Sequence, residues 1–261
     1  TYRIPPWGLL YILYVFAAYL VVSIVMVVVL VVACMSHSNC GPTSEGIMFV
    51  SAVEVLLFAA SQAFVIGGVP VILSIHQGNG PVIDYGLTQR PPDIAYGLGY
   101  GVLCMIFGFF PYFILGIEID ATIGGFHASG VFTETVYLLL LVFGVPIVEE
   151  LMFRGLIFTI IAKKRWHKLL VIALDAFLFS LFQSFYTALS RLWIYFVLGL
   201  ILATARVRTQ SLTPCIIARG VFNLASAIMI LVILTEDEES GGLEVKHPLR
   251  QMKATVMSWM K

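Results

Sequence analysis

Seven stretches of almost unbroken apolar residues, at 9–34, 47–73, 94–117, 133–158, 169–185, 192–207 and 212–234, govern what this chain can become. About 20 apolar residues in a row cross the hydrocarbon core of a bilayer as a helix. Inside lipid every backbone polar group needs a partner within the protein, which leaves helices or closed barrels. The ten-residue alternation of apolar and polar side chains that marks a barrel strand is missing. The expected fold class is therefore an all-α polytopic membrane protein with about seven to eight transmembrane helices. Gly67, Gly68 and Pro70 near the end of the second stretch predict a kink or a division there, which would supply the eighth segment. Charged residues are 11% of the 261, about half the share usual in a soluble domain. No repeat or linker divides the chain, so residues 1–234 read as a single transmembrane domain and 235–261 as a polar C-terminal tail.

A formal net charge of zero offers no basic footprint for nucleic acid. The first apolar run is too long for a signal-peptide core, and reads as a membrane helix with Trp7 and Tyr11 as interfacial anchors. Cys34 and Cys40 bracket its end and would form a disulfide if that loop faces an oxidising compartment. Cys104 and Cys215 read as apolar fillers within spans. Orientation follows from Lys and Arg in short loops. An alternating seven-span path puts Arg90, Lys163, Lys164, Arg165, Lys168, Arg206 and Arg208 on one face. That face is expected to be cytoplasmic, together with the N-terminus. Glu118, Asp120, Arg191 and the tail beginning Glu236, Asp237 fall on the opposite side.

An ionisable side chain within a membrane helix is costly, and so is a functional candidate by default. The fourth span carries Glu149, Glu150 and Arg154. Adjacent residues on a helix point about 100° apart, so the two carboxylates cannot share one role. Glu150 and Arg154 have the spacing of a same-face ion pair, which leaves Glu149 to face something else. Glu149 lies on the order of 15 Å from the end of its span, too deep for a surface salt bridge. In the fifth span Asp175, Phe179 and Gln183 form one stripe, with Asp175 near the basic loop as an interfacial charge and Gln183 deeper. Such a Gln reads either as an interhelical hydrogen-bonding group or as part of a site. The last span carries Arg219 and Asn223 on one face. Glu149, Gln183 and Arg219 reach comparable depth and imply a common polar cavity. Glu54 in the second span is a further intramembrane acid with no evident partner.

Taken together, these residues resemble the CPBP family, also called the Abi or CAAX-protease family of intramembrane proteases, over about residues 143–227. Its Glu-Glu-x-x-x-Arg motif is intact at Glu149, Glu150 and Arg154, followed by Gly155. Its Phe-x-x-x-His motif aligns with Phe179 to Gln183, and its His-x-x-x-Asn motif with Arg219 to Asn223. The resemblance implies a helical bundle in which the first Glu activates water beside the motif-two His, while the last His and Asn stabilise an oxyanion. An older view gives the His and Glu residues to zinc. Here Gln183 and Arg219 replace both histidines, and His37, His76, His127, His167 and His247 all fall in predicted loops or the tail. Arginine has no lone pair to offer a metal, so neither a metal nor another cofactor is expected.

Two chemistries stay open. Glu149 could act as a general base, with Gln183 positioning water and Arg219 and Asn223 donating to an oxyanion. Alternatively, Glu149 with Arg219 and Glu150 with Arg154 form neutralised pairs that hold helices without turnover, which predicts direct contact between Glu149 and Arg219. The expectation is a catalytically impaired homologue of an intramembrane endopeptidase, acting as a membrane binding, immunity or assembly subunit. The alternatives are an active metal-independent endopeptidase at Glu149, Glu150, Gln183, Arg219 and Asn223, and a transport component. Expected partners are membrane lipid and a transmembrane or lipid-modified peptide or partner membrane subunit, with no nucleic acid.

Overall fold

The computed structural model describes residues 6–36, 59–88, 90–115, 135–136, 138–164, 166–184 and 192–239. Among them every regular element is helical. Helix α1 is Leu9–Ser36, α2 is Ala59–Gln77, α3 is the short Pro81–Asp84, and α4 is Pro91–Leu115. Helix α5 runs over 138–162, α6 is Lys168–Gln183, α7 is Leu192–Thr209 and α8 is Thr213–Glu239. By length and composition α1, α2, α4 and α7 are each able to cross a membrane. Helix α8 continues beyond Leu234 to Glu239, so the polar residues expected in the tail begin on a helix. Cys40 and Glu54 lie outside the described residues, and with them the pairing of Cys34.

Proline sets several helix starts, at Pro81, Pro91, Pro92 and Pro214, where a missing N–H costs nothing. Within helices it has another effect. The amide of Val69 donates to the carbonyl of Phe64, and that of Val145 to Leu140, each five residues back instead of four. Each of these wide turns ends one residue before a proline, Pro70 or Pro146. A proline ring clashes with the carbonyl four residues earlier, and widening the turn relieves the clash. The break expected at Gly67, Gly68 and Pro70 is thus a wide turn that α2 passes through, and Gly67 lies where a Cβ would stand 3.3 Å from the Val148 side chain of α5. Small residues let membrane helices approach in this way.

Helices α4 and α8 pack along much of their lengths, as do α6 and α7. Gly199 makes the second contact close, since a Cβ there would fall 2.8 Å from Ala176 Cα. Met152, Phe153 and Leu156 of α5 meet Phe179 and Phe182 of α6 and Leu198 and Leu202 of α7 in one buried core. The outer faces carry exposed Leu13, Val21 and Ile24 on α1 and Ile94, Val102 and Phe107 on α4. A protein in water would bury such a surface, whereas lipid covers it at no cost.

Loops at one end are tied tightly. The Asp84 carboxylate accepts from Ser74 Oγ at 2.7 Å and from the Asn79 amide at 2.8 Å. Asp93 accepts from Ser211 Oγ at 2.9 Å, which joins the start of α4 to the turn before α8. Gly86 adopts φ +63°, and a Cβ there would lie 2.6 Å from the Gln210 carbonyl, so only glycine fits. Trp7, read from sequence as an interfacial anchor, is instead buried against Tyr85 with the Lys163 ammonium 5.0 Å from its ring. A nearby aromatic and a cation compete successfully with the headgroup layer for its indole. His76, read as a loop residue, lies in the last turn of α2 and is exposed, while His167 caps α6.

Candidate functional site

The polar centre begins with the wide turn before Pro146. With Val145 bonded to Leu140, the natural donor to the Leu141 carbonyl would be residue 146, and proline has no N–H. Asn223 of α8 fills that gap, its Nδ2 donating to the Leu141 carbonyl at 2.8 Å. The side chain aligned with an oxyanion donor is therefore engaged with backbone.

One turn on, Glu149 is 6% exposed and engaged on both oxygens. Gln183 Nε2 donates to Oε1 at 3.0 Å. Arg219 places Nε at 3.1 Å and Nη2 at 2.9 Å from Oε2, so two guanidinium nitrogens converge on one oxygen. The third nitrogen, Nη1, is buried with no acceptor among the described residues. The guanidinium carbon lies 5.2 Å from the Phe179 ring centre and 5.7 Å from that of Phe222, close enough for the ring faces to help stabilise a desolvated cation.

Glu150 points away from this pair, as adjacent helical residues must. Arg154 Nη1 meets Glu150 Oε1 at 2.9 Å, and both side chains are fully inaccessible. Arg154 also stands 3.3 Å from Asp175 through Nε, and its Nη2 donates to the Gly199 carbonyl at 3.2 Å. The contact with Asp175 is close but poorly aligned, because neither Asp175 oxygen has a hydrogen-bond partner. Asp175 was expected at the interface; it is instead 0% exposed and linked to α5. Sequence distance from the basic loop misplaced it, since the ion partner lies on another helix. Arg206 completes the group by donating Nε to the Arg154 carbonyl at 3.3 Å. The cluster thus contains the acids Glu149, Glu150 and Asp175 and the arginines Arg154, Arg206 and Arg219, all buried and balanced in charge.

A smaller polar group on α1 and α2 escaped the sequence reading. Ser23 Oγ donates to the Tyr19 carbonyl at 2.8 Å and lies 3.4 Å from Gln62 Oε1, while Gln62 Nε2 is buried without a partner. Tyr19 packs on Phe182, with ring centres 4.9 Å apart, next to Gln183. A Gln within an apolar run was the available signal for Gln62, as it was for Gln183.

Two hollows lie elsewhere, between α4 and α7 and around Phe177 and Trp193, and neither is lined by the motif residues. Among the described residues no three His, Cys, Asp or Glu side chains converge as metal ligands. Beside Glu149 stand an amide and a guanidinium, and the latter has no lone pair. The donor set does not fit the zinc of the older family scheme.

A bundle of apolar helices, four of them long enough to cross a membrane, around a buried centre of acids and arginines is the build of an integral membrane protein. Residues 131–225, just over a third of the chain, match the family model described as type II CAAX prenyl endopeptidase Rce1-like. Over that stretch the chain is similar to CAAX-protease-type membrane endopeptidases. No curated protein and no solved structure compared with it gave a match.

Proposed function

We propose that this chain is a pseudoprotease of its family, holding a transmembrane or lipid-modified peptide or a partner membrane subunit without cleaving it. The observation that carries this reading is the burial of Glu149 with donors on both of its oxygens. A general base must reach the water it deprotonates through a free lone pair. Here Arg219 directs two donors at Oε2, with Nη2 at 2.9 Å. Gln183 takes one of the two lone pairs of Oε1 at 3.0 Å, while 6% exposure leaves the other little access to water. Asn223, the other aligned donor, bonds Leu141. Glu149 with Arg219 ties α5 to α8, and Gln183 adds α6. In the same reading the ends bearing Arg90, Lys163, Lys168 and Arg208 face the cytoplasm with the N-terminus, following the bias of short loops.

One observation favours an active alternative. Arg219 Nη1 is a buried donor without an acceptor, and an oxyanion forming beside it would supply one. The test compares the native chain with the double variant Gln183→His, Arg219→His on a prenylated C-terminal peptide and on a transmembrane peptide in proteoliposomes. The proposal expects no turnover by the native chain above that of Glu149→Gln. Native turnover that Glu149→Gln abolishes would overturn it.

A further inference from the structure

We propose that the groove between α4 and α7 is a binding site for an anionic glycerophospholipid, with one acyl chain along the groove and the phosphate on Arg208. The hollow measures about 550 Å³, within the range of roughly 300–1,000 Å³ typical of ligand sites. Its walls are mostly apolar, formed by Tyr96, Tyr100 and Leu103 on α4 and by Ile201 and Thr204 on α7, and Arg208 is its one charged lining residue. Gly99 deepens the groove, because nothing lies within 4 Å of where its Cβ would be.

The two walls run antiparallel, so the level of Arg208 on α7 is that of Ala95 on α4, near the helix end that follows exposed Arg90. From there to the level of Leu103 and Leu200 is about 12 Å at the helical rise, against about 15 Å for one leaflet of hydrocarbon. The groove therefore spans most of one leaflet and no more, the reach of a single acyl chain entering from the surface. Asp93, near the start of α4, is buried and bonded to Ser211, so it does not oppose a phosphate at the groove mouth. A basic residue at the mouth of an interhelical groove is the arrangement that holds anionic headgroups. A transmembrane peptide would instead need a groove continuing across both leaflets.

The test uses the full chain in nanodiscs of phosphatidylcholine with either phosphatidylglycerol or an equal share of a spin-labelled phosphatidylcholine, reading retained lipid by native mass spectrometry after release into detergent. The native chain is expected to retain phosphatidylglycerol in preference to phosphatidylcholine. Arg208→Gln should lower that preference about fivefold, from about 1 kcal/mol per surface cation, while Arg208→Lys keeps it. Gly99→Leu, which fills the groove, should lose bound lipid of either headgroup. Equal retention of both lipids by the native chain would overturn the proposal. So would an Arg208→Gln variant with undiminished preference, or retained lipid undisturbed by Gly99→Leu. None of these readouts depends on whether Glu149 is active.

Discussion

Arg154 is the residue on which the buried cluster turns, and its replacement by methionine gives a decisive measurement. Its guanidinium lies 2.9 Å from Glu150 and 3.3 Å from Asp175, and all three side chains are inaccessible. Arg154→Met leaves two carboxylates buried in the core with no cation in contact with either. Breaking a buried ion pair by removing one partner costs about 3–5 kcal/mol, and replacing the whole group with neutral residues is often nearly free. Asp175 behaves differently, because its oxygens make no aligned hydrogen bond. Asp175→Asn should therefore cost about 1 kcal/mol or less, the worth of one ordinary polar contact. The triple variant Glu150→Gln, Arg154→Met, Asp175→Asn should recover most of what Arg154→Met loses. Reversible unfolding in mixed micelles, followed by helical circular dichroism against the SDS fraction, measures all four proteins. An Arg154→Met variant that unfolds at the same SDS fraction as Asp175→Asn would refute the assignment of Arg154 as the shared counterion.

Two further outcomes follow from contacts outside the motifs. Gly199→Ala should destabilise by about 1–3 kcal/mol, as overpacking does, because its Cβ would meet Ala176 Cα at 2.8 Å; Gly99→Ala, with open space, should stay within about 0.5 kcal/mol in the same unfolding assay. Lys163 lies in the turn after α5, where burial pushes its ammonium below the usual lysine range and Asp84 partly opposes the shift. The unfolded chain then holds more protons there than the folded one, so the Lys163 contribution to stability rises as pH climbs towards the ordinary lysine value. Unfolding curves from pH 8 to about 10.5 should show a positive slope that Lys163→Gln reduces; an unchanged slope would contradict the burial of this amine.

Much of this arrangement is legible in the residues themselves. Apolar runs separated by Gly, Pro and charged loops specify the helices, because a membrane leaves a long apolar segment few alternatives. The spacing of Glu150 and Arg154 specifies their contact, since both sit on one helix. Contacts between helices are harder to read. Asp175 is about two turns from Lys168, the first residue of its own helix, yet its partner is on α5. Ser23 and Gln62 each look isolated until α1 and α2 are laid together. The bond from Asn223 to Leu141 depends on a turn one residue wider than an α-helix, and Pro146 is its only trace in the sequence. Trp7 was misread because aromatic residues near span ends favour interfaces on average, while Lys163 and Tyr85 give this one a specific seat.

The wide turns of α5 make chain length, as distinct from chemistry, a determinant of the polar centre. The turns at 140–144 and 151–157 flank Glu149 and Glu150 on either side. Omitting one residue of 142–144 would turn the five-residue bond from Val145 to Leu140 into an ordinary four-residue one and leave the flanking segments in register. Adding one would instead swing everything before it by about 100° relative to the acids. After the deletion Pro146 would stand four residues beyond Leu141 and still offer it no N–H, so Asn223 would keep its acceptor; after the insertion Asn223 would lose it. A single-residue deletion within 142–144 should therefore be borne far better than a single-residue insertion in the same stretch.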